Sequence, residues 1–419
     1  MQREQIVFVG TSDLSGHFRG KSFPAADLPA RLERGVGLAP TNLFLGAFGG
    51  IQYSPFGTVG EVYLLPDAAT RVLVPFEGSA TEYFLLGDLV TDAGSPWEFC
   101  PRQLLRGALD RLERLASWRL LATFEQEFVY SGVLGQPAQP YELDAYRRQG
   151  LFGEVLLAAL RQAGVLPDGF LSEFGPRQFE VTVAPAIGLR AADQAVITRE
   201  LTQAVAHRFG HRVCFAPMPE FGGTSSGTHI HFSFLDVDDR PAAFDPTGAL
   251  QLSALASRFV AGILAHLPAI CAVTAPSVAS YYRLRPNKFA PLQSDLGLLD
   301  RGAAVRICPA TGKDPAQRAR SFNLEFRVAD ATASPYLALA MMVHAGCDGI
   351  EAGNEAGAHV PQALPADLGA ALDALQSSAP AAGWMGPLHA PYIAFKRAEI
   401  EGLREFNEHE TCRRYAEVY

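Results

Sequence analysis

The chain has 419 residues, with 35 Lys and Arg against 44 Asp and Glu, a formal net charge of -9. That balance excludes a general nucleic-acid binder. A 48% apolar composition is ordinary for a large globular protein expected to divide into two domains. No apolar run reads as long enough to cross a membrane, and MQREQIVFVG lacks the order of a signal peptide. The six cysteines (Cys100, Cys214, Cys271, Cys308, Cys347, Cys412) are scattered without a CxxC. They read as buried thiols of a reducing, cytoplasmic setting.

In chain order, residues 1–99 carry strand and turn signals: QIVFVG, EVYLLPD and TRVLVPF, broken by GAFGG and SPFGT. A helix follows, opening at Pro101 with Leu104, Leu105, Ala108, Leu109 and Leu112 at helical spacing. The expected boundary therefore lies near Cys100, giving domains 1–99 and 100–419. In LATFEQEFVY, read as one strand, Glu125 and Glu127 share a face opposite Phe124 and Phe128. Glu173 follows in FLSEFGP. In RQFEVTV, Glu180 and Thr182 oppose Phe179, Val181 and Val183. A further helix is expected at Ala192–Phe209.

GTSSGTHIHFSF (Gly223–Phe234) sets His229, His231 and Ser233 on one face and Ile230, Phe232 and Phe234 on the other. Arg283 and Arg285 stand in SYYRLRPNKFAP, and Arg301 and Arg306 in DRGAAVRICP. In FNLEFRV, Asn323, Glu325 and Arg327 share a face. Pro335–Ile350 is expected helical, capped by Ser334. Residues 353–387, rich in Ala, Gly and Pro, read as a surface excursion.

Four strand-like segments thus present carboxylates or imidazoles on one face, with no lysine in any of them. Acids so placed repel one another unless a cation joins them, and oxygen ligands with an imidazole suit Mg²⁺ or Mn²⁺ better than zinc. Arginines beside such a site are what phosphoryl chemistry requires. No Walker loop or dinucleotide-binding fingerprint is present.

With these motifs in this order, the chain resembles the glutamine synthetase family from TSDLSGHFRGK to KRAEIEGLREF. The resemblance implies an α+β fold, with a β-grasp-like N-terminal domain and a catalytic domain whose antiparallel sheet forms a funnel. It implies ATP and Mg²⁺ or Mn²⁺ as cofactors. Glu127, Glu173 and Glu180 resemble the ligands of one metal, and Glu125, His229 and Glu325 those of the second. His231, Ser233, Arg306 and Arg320 match the nucleotide side. Arg283 and Arg327 match arginines around the substrate carboxylate and the transferred phosphoryl group, and Arg301, with Arg306, those near the ATP phosphates; Arg283, Arg301 and Arg327 are the expected catalytic arginines. A homo-oligomer of stacked rings, a dodecamer or a related assembly, is implied, acting on a small carboxylate and an amine, with no nucleic acid or membrane as partner.

Departures from the family pattern fall on the substrate side. Phe289 stands where glutamine synthetases proper carry a loop glutamate. No acid occurs between Gly35 and Gly60, where the family's ammonium-site aspartate is expected. Thr224 and Ser225 replace an Asn-Gly pair, Arg177 replaces a glycine, and Asn323 replaces an arginine. The expectation is an ATP-dependent acid–amine ligase that takes an organic amine, resembling gamma-glutamylamide and gamma-glutamylpolyamine synthetases. The alternatives are a glutamine synthetase using ammonia, or a non-catalytic structural or regulatory family member. A phosphagen-kinase-like phosphotransferase lacks this order of motifs.

Overall fold

The computed structural model describes residues 3–419. The N-terminal part is a sheet of strands β1 (Ile6–Ser12), β2 (Phe18–Pro24), β3 (Val36–Leu38), β4 (Val62–Pro66), β5 (Val72–Val74) and β6 (Glu82–Val90), with helix α1 (Leu28–Arg34) packed on β4. The order is β2-β1-β6-β4-β3, with β5 on β6. β1 and β6 run parallel and the other pairs antiparallel. Alternation decides the packing: Val7 and Val9 of β1 and Leu64 of β4 are buried.

Beyond Cys100 come α2 (Pro101–Ala116), β7 (Arg119–Phe124), β8 (Gln126–Tyr130), α3 (Leu143–Arg148), α4 (Phe152–Gln162), β9 (Pro167–Ser172), β10 (Gln178–Val183), β11 (Ala186–Ile187), α5 (Leu189–Arg208), β12 (Val213–Cys214) and β13 (Ile230–Leu235). Then follow α6 (Ala254–Thr274), α7 (Ser280–Arg283), β14 (Leu296–Leu298), β15 (Val305–Ile307), α8 (Pro315–Ser321), β16 (Leu324–Phe326) and α9 (Pro335–Ala352). The chain closes with α10 (Leu368–Ser377), α11 (Ala379–Met385), α12 (His389–Leu403) and α13 (Glu408–Val418). Two sheets result, β12-β8-β10-β9 and β11-β7-β13-β16-β15-β14. All their pairs are antiparallel except β14–β15, which runs parallel.

LATFEQEFVY is not one strand but two. At Glu125 the chain leaves one sheet for the other, so β7 pairs with β13 and β8 with β10. Glu125 stays tied across the gap, its N–H donating to the His229 carbonyl at 2.9 Å. Gln126, on the opposite face, is buried and satisfied by donating to the Ala195 carbonyl of α5 at 2.7 Å.

The helices α6 and α9 form the other layer. Gly262 and Gly349 meet where a Cβ on Gly262 would stand 2.0 Å from the Ala345 carbonyl and 2.6 Å from the Gly349 nitrogen. Only glycine permits that approach. α6 corrects one expectation. Its 21 residues reach a mean hydropathy of 1.6, long and apolar enough for a membrane span by length and composition. Arg258, His266 and Pro268 interrupt the run in the sequence, and α9 and α10 cover the helix. The stretch 353–387 is a second correction. It contains α10 and α11, whose Leu368, Leu372, Leu375 and Met385 are buried against the helical layer. Ser334 does precede α9 with Pro335 at the first turn, but its hydroxyl makes no capping bond.

Arg102, wholly buried at the start of α2, joins the N-terminal sheet to the rest. It pairs with Asp67 (3.1 Å), Asp88 (2.9 Å) and Asp193 (3.1 Å), and Tyr336 donates to Asp193 at 2.7 Å. Buried charge is tolerated here because every partner is itself paired or hydrogen-bonded.

Candidate active site

The acidic faces of β8 and β10 and the segment before β13 enclose a cavity of about 970 Å³. Glu125, Glu127, Glu173, Glu180 and His229 line it, with Arg283, Arg301, Arg306 and Arg327. Glu325 lies just behind His229. From His229 Nδ1, Glu125 Oε2 and Glu325 Oε1 are each 3.4 Å away and Glu127 Oε1 3.8 Å away. In β-register Glu180 faces Glu127. Two groups at the cavity could hold a metal ion, Glu125–His229–Glu325 and Glu127–Glu180–His229, and a third, His231–Cys308–Glu325, lies beside it. The first is the expected set. In the second, His229 stands where Glu173 was expected. Glu173 instead accepts from Tyr141 Oη at 2.9 Å and from the Phe174 N–H at 3.1 Å.

Electrostatics test whether a cation fits. Burial, reinforced by Glu125, Glu127 and Glu173, pushes the Glu180 carboxyl up to about 10. Burial and Glu127 likewise raise Glu173. A carboxylate cluster that must retain a proton near neutral pH is one that a divalent cation would relieve. Glu125 is held low against burial by His229 and His231. Glu325 is likewise held low by His229 and Arg327, against burial. The donor set fits hard divalent cations.

Gly227 makes the site possible. A Cβ there would stand 2.7 Å from His229 Nε2 and 2.8 Å from Arg283 Nη2, and its N–H donates to Glu127 Oε2 at 2.8 Å. Gln178, which the sequence reading passed over, ties the same corner. Its amide donates to the Ser225 carbonyl (2.9 Å), Ser226 Oγ (3.0 Å) and Glu127 Oε2 (3.3 Å). The signal was available, since Gln178 lies two residues before Glu180 on the same face.

The arginines divide. Arg306 pairs with Glu325 at 2.8 Å, and Arg327 pairs with the same carboxylate. Each keeps a buried Nε–H with no acceptor among the described residues. Arg283 is buried and donates to the carbonyls of Val328 (2.8 Å) and Arg327 (2.7 Å); burial lowers its pKa. Arg301 reaches the cavity from an exposed turn.

His231 sits beside the cavity. Its Nε2 is 3.0 Å from Glu125 and its Nδ1 2.8 Å from Asn323 Oδ1. Burial opposes its charge, but Cys308 and Glu125 outweigh burial and push the ring up to about 11.

Three expected residues are not brought to the cavity. Ser233 is buried in β13 opposite Leu121, one pleat beyond His231. Arg320 is exposed on α8. Arg177 is exposed in the turn before β10, at φ 60, where its carbonyl accepts from the Tyr130 N–H at 2.9 Å. It lines a small neighbouring hollow and makes no ion pair with Glu173 or Glu180.

Thr224, Ser225 and Phe289 do line the cavity. Lys288 fastens their two loops, its Nζ donating to the Gly222 carbonyl at 2.9 Å and the Gly223 carbonyl at 2.5 Å.

Sequence comparison agrees with this architecture. A sequence model of the glutamine synthetase N-terminal domain matches residues 1–97, and one of the glutamine synthetase catalytic domain matches residues 98–415. The chain is 34% identical to a gamma-glutamylpolyamine synthetase of Streptomyces coelicolor over 359 residues, covering 82% of this chain and 75% of that protein. It is 29% identical to a gamma-glutamylanilide synthase of an Acinetobacter species over 420 residues, covering 89% and 82%. A crystal structure of a protein described as a novel glutamine synthase homolog superposes with a TM-score of 0.95 at 42% identity, covering 100% and 99%. The chain belongs to the glutamine synthetase family.

Proposed function

We propose that the protein is an ATP-dependent ligase joining the γ-carboxylate of glutamate, or of a close analogue, to an organic amine. The observation that carries this reading is a cavity with two unlike walls. One wall holds the Glu–His cluster and Arg283, Arg301, Arg306 and Arg327, and the other presents Phe289 and Phe174. The relatives named for gamma-glutamyl amides support it.

The carboxylate oxygen attacks the γ-phosphorus of ATP and ADP departs. The amine nitrogen then attacks the acyl carbon, phosphate leaves, and a proton is lost from nitrogen. The arginines place fixed positive charge where the phosphoryl oxygens gather negative charge. Glu125, Glu127, Glu180, His229 and Glu325, with Glu173 beside them, would hold Mg²⁺ or Mn²⁺, which when bound neutralises phosphate charge. His231 lies on the nucleotide side. Phe289 removes the loop charge that would draw in ammonium and offers an apolar surface to the carbon body of an amine.

The reading extends to two domains, 1–99 and 100–419, in a cytoplasmic homo-oligomer of stacked rings where a neighbour's N-terminal domain completes each site. Phosphate release from ATP, measured across a matrix of carboxylic acids and amines, tests the activity. Release requires glutamate or an analogue together with an organic amine. Release with ammonium alone, by a wide margin, makes the protein a glutamine synthetase. No release with any pair makes it a non-catalytic member. Sedimentation tests the assembly, and a fully active monomer refutes it.

A further inference from the structure

Two phenylalanines at the cavity are largely exposed on the single chain. Phe174 is 56% exposed and Phe289 74% exposed. Their rings nevertheless pack together, centroids 5.9 Å apart and planes tilted by 59°. They come from separate loops, and both line the cavity. Leaving two rings exposed does nothing for folding, and a paired apolar patch at a cleft marks a binding surface.

The backbone shows that the display is imposed. Phe289 has φ 50, a left-handed conformation that a bulky residue adopts only when its surroundings dictate it. Arg327 Nη2 donates to the Phe289 carbonyl at 3.3 Å, and Ser225 Oγ to the Lys288 carbonyl at 3.4 Å. With Lys288 bound to the glycine turn, the loop is pinned on both sides and the ring projects. Phe174 is fixed by its N–H on Glu173 Oε2. The second ring is thus set directly beside the carboxylate cluster.

We infer that Phe174 is a specificity-determining residue acting with Phe289. The two rings form a clamp for the carbon body of the amine, selecting a primary amine that carries an aromatic ring over ammonia, methylamine and diamines. This rests on the ligase reading above. A third ring laid on the two exposed faces gains tilted or stacked aromatic contact and leaves water. A second ammonium group held between the ring faces would give up hydration that cation–π attraction at an exposed site returns only in part.

The test uses the full-length enzyme with glutamate and Mg-ATP, following phosphate release with 2-phenylethylamine, 1,4-diaminobutane, methylamine and ammonium. Because Phe174 is exposed, its variants keep the fold, which thermal melting checks. For Phe174→Ala, kcat/KM for 2-phenylethylamine falls about tenfold or more, mainly through KM, and that for methylamine falls by less than about threefold. KM for ATP does not move. Phe174→Leu, which keeps an apolar side chain, recovers part of the loss. Phe174→Ala with Phe289→Ala loses less than the product of the single losses, because both rings hold one ligand. Equal losses for all four amines overturn the clamp, as does a wild-type preference for 1,4-diaminobutane. If wild-type enzyme releases no phosphate with any amine, the ligase reading fails before any substitution is made. Calorimetry of 2-phenylethylamine binding in the presence of ADP and glutamate then decides the clamp separately: unaltered affinity in Phe174→Ala refutes it.

Discussion

The two walls of the cavity are built on opposite principles. On the acidic wall most of the charged groups are held by others. Glu325 is gripped by Arg306 and Arg327, and Glu127 by Gln178 and Gly227, while Glu125 lies within reach of His229 and His231. On the aromatic wall Phe174 and Phe289 pack ring against ring, and the hydrogen bonds that fix them are made by their backbones. Preorganised charge suits chemistry shared by every substrate of a family, because it must not reorganise during reaction. A wall whose side chains carry no internal obligations can change without disturbing the fold, so it is where substrate choice is written.

The largest expected effect comes from breaking the acidic wall. Glu127→Ala and Glu325→Ala should each lower ATP-dependent phosphate release by about 100-fold or more, since removing one preorganised electrostatic group costs that order of rate. Glu325→Ala also leaves Arg306 and Arg327 without their shared carboxylate, so its melting temperature should fall further than that of Glu127→Ala. Wild-type turnover by either variant, folded by circular dichroism, would remove these residues from the site.

The second effect is pH-dependent, with a sign set by Glu180. Its carboxyl is raised to about 10 from an ordinary value of 4.5. In the metal-free protein it therefore keeps its proton at neutral pH, and a cation must displace that proton. Affinity for Mg²⁺ or Mn²⁺ should rise with pH between about 6 and 9, by up to about tenfold per unit if one proton is displaced. Calorimetry in buffers of differing ionisation enthalpy counts the proton directly. The same shift means that stability present below the unfolded pKa is lost as pH rises toward 10. Chelated protein should melt lower at pH 9 than at pH 6, and added Mg²⁺ should reduce that difference. A pH-independent affinity with no proton release would show that the cluster is already ionised without metal.

The acidic wall was also the legible one. A strand displays its side chains with period two, so FEQEF, RQFEV, HIHF and NLEF announce their faces without tertiary information. The structure brings Glu125, Glu127, Glu180, His229 and Glu325 within one site. What periodicity cannot show is where a chain changes sheet, and hence that LATFEQEFVY divides at Glu125. Nor does it say which way a turn residue such as Arg177, or an exposed helical one such as Arg320, directs its side chain, and neither lines the cavity. Phe174, Tyr141 and Lys288 do their work from loops and carry no periodic signal. Ala-rich composition hid α10, although Leu368, Leu372 and Leu375 recur at helical spacing.

The smallest expected effect is also the sharpest comparison of the walls. Phe289→Glu places a carboxylate on the aromatic wall at a backbone position already held by Lys288 and Arg327. Ammonium is compact and strongly hydrated, so a site for it needs negative charge to draw it in and to accept its proton. A glutamate at position 289 supplies that charge, and it removes one ring from the amine's apolar body at about 0.8 kcal/mol per methylene no longer buried. The ratio of kcat/KM for ammonium to that for 2-phenylethylamine should therefore rise, by about tenfold. The gain is bounded because the segment from Gly35 to Gly60 has no acid to serve as the second ammonium-attracting group. KM for ATP, set by the metal-ligating and arginine groups, should stay where it is. If the ratio does not change, position 289 does not face the amine, and selectivity must be sought in the N-terminal segment instead.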